Sequence, residues 1–242
     1  MDNVLVTGAS RGIGLAIAVR LAREGYAVTG VARKPSEAFT QAAAEIGGAG
    51  ALHFEPLDLT DLAAIPAFVR GLKERRGPIY GLVNNAGVGT GGLLANMANA
   101  DIEALLRLNT LAPILLTKYV VRGMMAEGRG RVVNIASIVA ATGYNGLSVY
   151  SASKAALTGF TRALAREVGR VGVTVNAIAP GFVDTELTHG LDAAQRDRVV
   201  ARSALRRMVE PEDVAALAAL LMGEGGRNVT GSVLTVDAGA TA

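Results

Sequence analysis

The sequence predicts a doubly wound α/β fold, a seven-stranded parallel sheet with helices on both faces. Three observations lead there. Short β-branched apolar runs alternate with longer helical patterns from one end of the chain to the other. The apolar runs are continuous rather than alternating, as expected of strands buried on both faces in a parallel sheet. Glycines cluster between the first strand pattern and the first helical pattern, where a β–α unit has to turn sharply.

The strand patterns fall at residues 4–6, 27–32, 51–55, 79–84, 132–137, 173–179 and 233–236. Helical patterns fill the intervals at 12–24, 37–46, 62–74, 102–127, 148–169 and 213–222. Repeated β–α units imply right-handed crossovers, since a right-twisted strand feeding a helix packs back onto its sheet only that way. No Pro-rich, Ser-rich or singly charged stretch reads as a linker, and no tandem repeat is present. Residues 1–242 are therefore expected to form one domain with a large core.

Half of the residues are hydrophobic and the formal net charge is +3. The charges are scattered, without the basic stripe of a nucleic-acid binder, so no nucleic-acid partner is expected. A mild positive balance suits an anionic cofactor or an acidic partner. The chain has no cysteine, which excludes disulfide and thiol chemistry. Met1-Asp2-Asn3 runs straight into a strand pattern, without the basic segment and cleavage site of a secretory signal. The apolar runs are shorter than the roughly 18 residues of a membrane span. The expected location is cytoplasmic, with no membrane partner. No His, Asp or Glu cluster has metal-ligand spacing, so no metal is expected.

The glycine turn reads Thr7-Gly8-Ala9-Ser10-Arg11-Gly12-Ile13-Gly14. Glycines here let the backbone approach a pyrophosphate, which the N-terminus of the following helix then stabilises. The spacing is G-x-x-x-G-x-G rather than the general G-x-G-x-x-G. A glycine-rich turn without a ligand is the plainer alternative. Its place between strand and helix favours a Rossmann-type dinucleotide site. NAD binders carry an acid near the end of the second strand to hold the ribose hydroxyls. Here that region reads Gly30-Val31-Ala32-Arg33-Lys34-Pro35 and has none. Arg33 is placed to grip a 2′-phosphate with its guanidinium fork, and Arg11 to approach it from the other side. The alternative is that both are solvated surface charges. The missing acid favours NADP(H).

Tyr150-Ser151-Ala152-Ser153-Lys154 lies in a helical pattern. Residues four apart share a helix face, so Tyr150 and Lys154 project together. A nearby ammonium is expected to lower the phenol's pKa and make the pair a general acid–base. Ser137 ends a strand pattern, where α/β sites gather, and its hydroxyl could hold a substrate carbonyl oxygen. A surface tyrosine beside a lysine is the plainer reading of the pair alone. Ser137, and the glycine turn before it, weigh against that reading.

With these pieces the sequence resembles the short-chain dehydrogenase/reductase family over nearly its whole length. The matching motifs occur in the family's order: the glycine turn, Asp58, Asn84-Asn85-Ala86-Gly87, Asn109, Ser137, Tyr150 and Lys154, then Pro180-Gly181 with Thr185. The resemblance implies a catalytic set of Asn109, Ser137, Tyr150 and Lys154. It implies that Asp58, with Leu59 beside it, contacts the adenine, and that Asn85, Ala86 and Gly87 line the cofactor. Lys154 would also bind the nicotinamide ribose, and Asn109 would hold a water relaying protons to Lys154. Pro180, Gly181, Val183 and Thr185 would clasp the nicotinamide end.

Within the family, segments 150–160, 180–187 and 231–239 look closest to bacterial 3-oxoacyl-[acyl-carrier-protein] reductases of fatty acid biosynthesis. They mostly build scaffold and cofactor site, and are shared with sugar, polyol and small-ketone enzymes of the family, which remain the alternative. A substrate lid is expected at about 186–209, with Leu187, His189, Leu191, Leu205 and Met208 and no acidic cluster for a sugar. A second glycine-rich run, Gly87-Val88-Gly89-Thr90-Gly91-Gly92, would make the site entrance small and flexible. The resulting expectation is an NADPH-dependent reductase of a 3-oxoacyl thioester. Acyl carrier protein would be the partner, met by Arg129, Arg131 and Arg170. A catalytically silent NADP-binding sensor is the reading from another class. Such proteins usually lose the tyrosine or the lysine, and both are present. Related proteins commonly assemble as tetramers. Leu111, Ile114, Leu115, Leu157 and Phe160 exceed what one sheet face needs, so a homotetramer is expected.

Overall fold

The computed structural model describes residues 1–47, 50–89, 91–185 and 192–242. Its centre is a seven-stranded sheet in the order β3-β2-β1-β4-β5-β6-β7. The strands are β1 (Asn3–Thr7), β2 (Ala27–Ala32), β3 (Ala51–Pro56), β4 (Ile79–Asn84), β5 (Gly130–Ile135), β6 (Val173–Pro180) and β7 (Val233–Val236). Every pairing is parallel. The helices are α1 (Gly12–Arg23), α2 (Glu37–Glu45), α3 (Ile65–Arg76), α4 (Asn99–Leu106), α5 (Ala112–Glu127), α6 (Ser148–Val168), α7 (Ala193–Arg202) and α8 (Pro211–Met222). The strand order reverses between β1 and β4, and at such a switch point the loops leave a crevice at the carboxyl ends of the strands.

Each face of the sheet has its own core. On one, Ile17, Ala18 and Leu21 of α1 and Val214, Ala218 and Met222 of α8 pack with Val4, Val6, Val28 and Ile178 of the sheet. On the other, Val69 and Leu72 of α3, Leu116 and Val120 of α5, and Leu164 and Val168 of α6 pack with Leu5, Val31, Leu82 and Val175. Each fully buried side chain of this size contributes about 1.5–3 kcal/mol. The two clusters explain why the strands read as continuous apolar runs: successive side chains feed opposite cores.

Several boundaries move. α3 starts at Ile65 rather than residue 62, because Asp61 Oδ1 accepts from the backbone N–H groups of Ala63 and Ala64, and Pro66 then occupies the first turn. β5 ends at Ile135, so Ser137 stands beyond the strand as the N-cap of a short 3-10 turn. α7 has no counterpart among the expected helices. It opens on an Asp192–Gln195 capping box, carries no buried residue and is largely polar, so only the half-buried Val199 and Val200 mark its inner face. The expected lid therefore contains a helix. Leu187, His189 and Leu191 lie outside the described residues, as does Thr90 of the second glycine run.

The helical stretch expected at 102–127 runs from Asn99 to Glu127, 29 residues, interrupted by a π turn at Arg107–Leu111. By length and composition it could cross a membrane, contrary to the reading of short apolar runs. Here Leu105, Leu116, Val120 and Met124 are buried within the protein. Leu157 is also buried in the core, so it does not belong to the surplus apolar surface expected for assembly, whereas Leu111 is 46% exposed.

The glycine turn tests this packing directly. A Cβ on Gly14 would lie 2.3 Å from the carbonyl oxygen of Gly8 and 2.4 Å from Asn85 Nδ2. The nearer atom is backbone and has no room to retreat. Gly14→Ala is expected to cost about 1–3 kcal/mol of unfolding free energy, read by urea denaturation. A variant as stable as the parent would show that the turn has slack.

Candidate active site

The loops after β1 and β4 are joined at the switch point. Thr7 Oγ1 accepts from the backbone N–H groups of Asn85 and Ala86, each at 3.0 Å. Asn85 Nδ2 donates to the carbonyls of Thr7 and Gly8, at 2.9 and 3.2 Å. Gly8 has φ +66°, and a Cβ there would lie 2.9 Å from Ala86 Cα. Gly12 has φ +54°, and a Cβ there would meet the Thr185 methyl at 3.4 Å, so the turn after β1 also reaches the loop after β6. Arg11 is the N-cap of α1 and makes no side-chain capping bond, leaving the first-turn N–H groups without that cover. Ser36, the N-cap of α2, donates through its hydroxyl to the carbonyl of Ser10. The turn bearing Ser10, Ile13 and Gly14 is thus held from both sides, in a shape that fits a pyrophosphate over the start of α1.

At the end of β2, Arg33 and Lys34 are exposed. Asp58 follows β3, and its carboxylate accepts from the hydroxyl and backbone N–H of Thr60, at 2.7 and 2.9 Å. These bonds hold its pKa below the usual carboxylate range, and the Arg33 charge adds to the effect. Arg33 and Asp58 therefore face one region beside the turn. Leu59 is buried against the core.

The catalytic candidates converge at the carboxyl ends of β4 and β5. Tyr150 and Lys154 occupy the first two turns of α6, with Lys154 Nζ 5.8 Å from the centre of the Tyr150 ring. Lys154 is 5% exposed and donates to the carbonyl of Ile135 at 2.9 Å. Burial lowers its pKa to about 8. Burial raises the Tyr150 phenol, while the neighbouring Ser137 hydroxyl acts to lower it. The expected lowering by Lys154 is overturned: desolvation of the phenolate outweighs the help it receives.

Asn109 sits inside the π turn and is 1% exposed. Its Oδ1 accepts from Val88 N at 2.9 Å, and its Nδ2 donates to Val88 O at 2.8 Å and Ser153 Oγ at 3.2 Å. A Cβ on Gly87 would lie 3.0 Å from Asn109 Oδ1 and 3.5 Å from Lys154 Nζ, so Gly87 keeps the centre of the site open. The side-chain amide is thereby held by the Val88 main chain and Ser153.

Pro180 ends β6 and is buried; Gly181 N donates to Val236 O at 2.8 Å. Val183 is buried and bridges to Val209, so it serves the core more than an open surface. Thr185 lies against Gly12. Sequence reasoning missed Thr7, whose ordinary residue type hides its bonds to the β4 loop, and Ser153, which donates to Tyr150 O at 2.7 Å while accepting from Asn109. Of the arginines expected to meet a carrier protein, Arg129 and Arg170 are exposed. Arg131 is buried, so it offers no charge to the face of a carrier protein.

The family model for short chain dehydrogenase matches residues 2–196. The chain belongs to the short-chain dehydrogenase family. Its relatives include the 3-oxoacyl-[acyl-carrier-protein] reductase FabG of Pseudomonas aeruginosa, 40% identical over 97% of this chain and 95% of that protein. FabG of Escherichia coli is 38% identical with the same coverage. A short-chain dehydrogenase from Burkholderia cenocepacia, crystallised in complex with NADP, superposes with a TM-score of 0.92 at 38% identity, covering 100% of this chain and 98% of that one. A dehydrogenase/reductase from Sinorhizobium meliloti gives 0.90 at 38%, covering 100% and 95%. In this short-chain dehydrogenase the tyrosine, lysine and serine lie where the switch-point crevice opens.

The buried lysine has a measurable signature. In the unfolded chain Lys154 titrates near 10.5, so between about 8 and 10.5 the unfolded state holds more of its proton than the native state. Unfolding free energy therefore rises with pH through that window, by about 3 kcal/mol in all. Tyr26, Tyr80 and Tyr150 have raised pKa values and remove stability above pH 10, which sets the upper limit for the measurement. Relative to Lys154→Met, the wild type should gain about 1–2 kcal/mol between pH 7.5 and 9.5 in urea titrations. A difference that stays flat with pH would mean the ammonium is not desolvated.

Proposed function

We propose that this short-chain dehydrogenase reduces a 3-oxoacyl thioester to the 3-hydroxy compound with NADPH, the thioester being carried on acyl carrier protein. One observation carries the chemistry: the Tyr150 phenol stands beside Ser137 and is backed by a buried lysine at the mouth of the switch-point crevice. The likeness to FabG enzymes over almost the full length of both chains supports the substrate.

Bound NADPH would supply the hydride to the carbonyl carbon. The uncapped start of α1, with Gly8, Ser10, Gly12, Ile13 and Gly14, would hold the pyrophosphate. Arg33, and Arg11 from the turn, would hold the 2′-phosphate. Asp58 and Leu59 would meet the adenine. Asn85, Ala86 and Gly87 would line the middle of the cofactor, with Pro180, Gly181, Val183 and Thr185 at the nicotinamide end.

Ser137 donates a hydrogen bond to the substrate carbonyl oxygen and polarises it. Tyr150 gives that oxygen its proton, and burial suits it to this, because a raised pKa keeps the phenol protonated at neutral pH until the oxygen turns basic. Lys154 would hold the nicotinamide ribose, and its lowered pKa suits it to give up a proton that restores Tyr150. Asn109 fixes the Val88 loop. Assembly as a homotetramer through the helix Asn99–Glu127 and α6 belongs to the same reading, supported by exposed Leu111 and Met125. A cytoplasmic location does too.

Tyr150→Phe should lower kcat by a factor of about 100 or more while NADPH still quenches or shifts its own fluorescence on binding. Retained turnover would remove Tyr150 from the role of proton donor. The substrate is tested by NADPH oxidation with acetoacetyl-acyl carrier protein, acetoacetyl-CoA, simple ketones and sugars, each repeated with NADH. Thioesters should be reduced, and NADPH should give the higher kcat/KM. Turnover of a ketone or polyol alone would end the acyl assignment, and equal rates with NADH would end the assignment of Arg33.

A further inference from the structure

A second cleft opens at the other end of the sheet. Asp2, Tyr26, Tyr80, Arg129, Arg131 and Glu224 line it, with a volume of about 500 Å³. That lies within the range of small-molecule sites, roughly 300–1,000 Å³. Asp2, Tyr26 and Arg129 immediately precede β1, β2 and β5, and Arg131 and Tyr80 are the second residues of β5 and β4. The cleft is therefore at the amino ends of the parallel strands. Arg131 and Ser137 are six residues apart on and just beyond one strand, about 20 Å at strand rise.

Arg131 is 8% exposed. Its Nη1 donates to Gly130 O at 3.0 Å, while Nε is shielded from solvent and has no acceptor among the described residues. No carboxylate among the described residues pairs with it. An arginine stays charged at any physiological pH, and a buried charge is costly unless an opposite charge or good acceptors meet it. Of the two carboxylates in the wall, Asp2 pairs with Arg129 inside the cleft and Glu224 makes an exposed contact with Arg227 at 3.7 Å. The Tyr80 ring gives partial compensation, with the Arg131 guanidinium 5.7 Å and the Arg129 guanidinium 4.5 Å from its centroid. Tyr80 is itself fixed, its hydroxyl donating to Met222 O at 3.1 Å, and its ring lies within 8° of parallel to Tyr26. The cleft thus holds a buried guanidinium with no carboxylate partner among the described residues, a second guanidinium at the rim that pairs with Asp2, and two ordered aromatic rings.

We propose that this cleft is a binding site for a small organic oxyanion, a phosphate monoester or a carboxylate bearing a flat apolar body. The oxyanion meets Arg131 and Arg129, whose planar forks match phosphate and carboxylate oxygens, and the body lies against Tyr26 and Tyr80.

The probes are phenyl phosphate, benzoate and inorganic phosphate, titrated calorimetrically into the protein saturated with NADP⁺ so that the 2′-phosphate site is filled. Phenyl phosphate or benzoate should bind saturably, one per chain, more tightly than inorganic phosphate; which of the two is tighter tells phosphate from carboxylate. Arg131→Met should weaken binding at least tenfold. Arg129→Gln, a change at an exposed side chain that leaves the fold alone, should weaken it severalfold. Absence of saturable binding at about 10 mM of every probe overturns the proposal. So does binding untouched by both arginine variants, or binding lost in Arg33→Ala instead, which would put the probe in the cofactor site.

Discussion

The contact between the turn after β1 and the loop after β4 is the constraint on which the remaining architecture rests. A parallel sheet that reverses its strand order has to leave a crevice, but the width of that crevice is set by how closely two loops approach. Here Thr7 and Asn85 exchange hydrogen bonds across it, and Gly8 and Gly14 contribute no side chain that would hold the loops apart. Because α1 starts at this turn, its N-terminus points into the crevice. Because Gly87 follows three residues after Asn84, the same seam places the floor of the site beside Asn109 and Lys154.

Below the seam, a buried polar chain ties sheet to helices. Asn84 Nδ2 donates to Thr117 Oγ1 on α5 and Asn134 Oδ1 on β5, and Asn134 Nδ2 donates to Thr161 Oγ1 on α6. These bonds run between elements that carry catalytic candidates and fix the distance from β4 to α6 more sharply than apolar packing alone, since a buried amide left unpaired is costly. The π turn works in the same direction. One extra residue in the helix rotates Asn109 inward, where it clamps Val88 and reaches Ser153.

The two ends of the sheet treat buried charge differently. At the carboxyl end, Lys154 meets a main-chain carbonyl and its pKa falls to about 8, so the lysine can change protonation state near neutral pH. At the amino end, Arg131 cannot relieve its burial by losing a proton, and an anion or an aromatic face has to do so. Residue type thus separates a buried cation on α6 that can lose its proton from one on β5 that cannot.

By itself the sequence determined the strand order of events along the chain: seven continuous apolar runs, the glycine turn after the first, and Tyr150 and Lys154 on one helix face. These are local, since strand burial shows in runs of Val and Ile and a four-residue spacing shows in a list. The resemblance to the short-chain dehydrogenases added Asn109 and Asp58, which no local pattern marks. Tertiary structure alone decided the rest. It raised the Tyr150 phenol where the Tyr–Lys spacing suggested lowering, because desolvation depends on everything packed around a group. It buried Leu157 and Arg131, formed α7 without a buried residue, and turned Thr7 into the joint between two loops. Each of these depends on atoms brought together from distant parts of the chain, and no spacing along one segment encodes such a meeting.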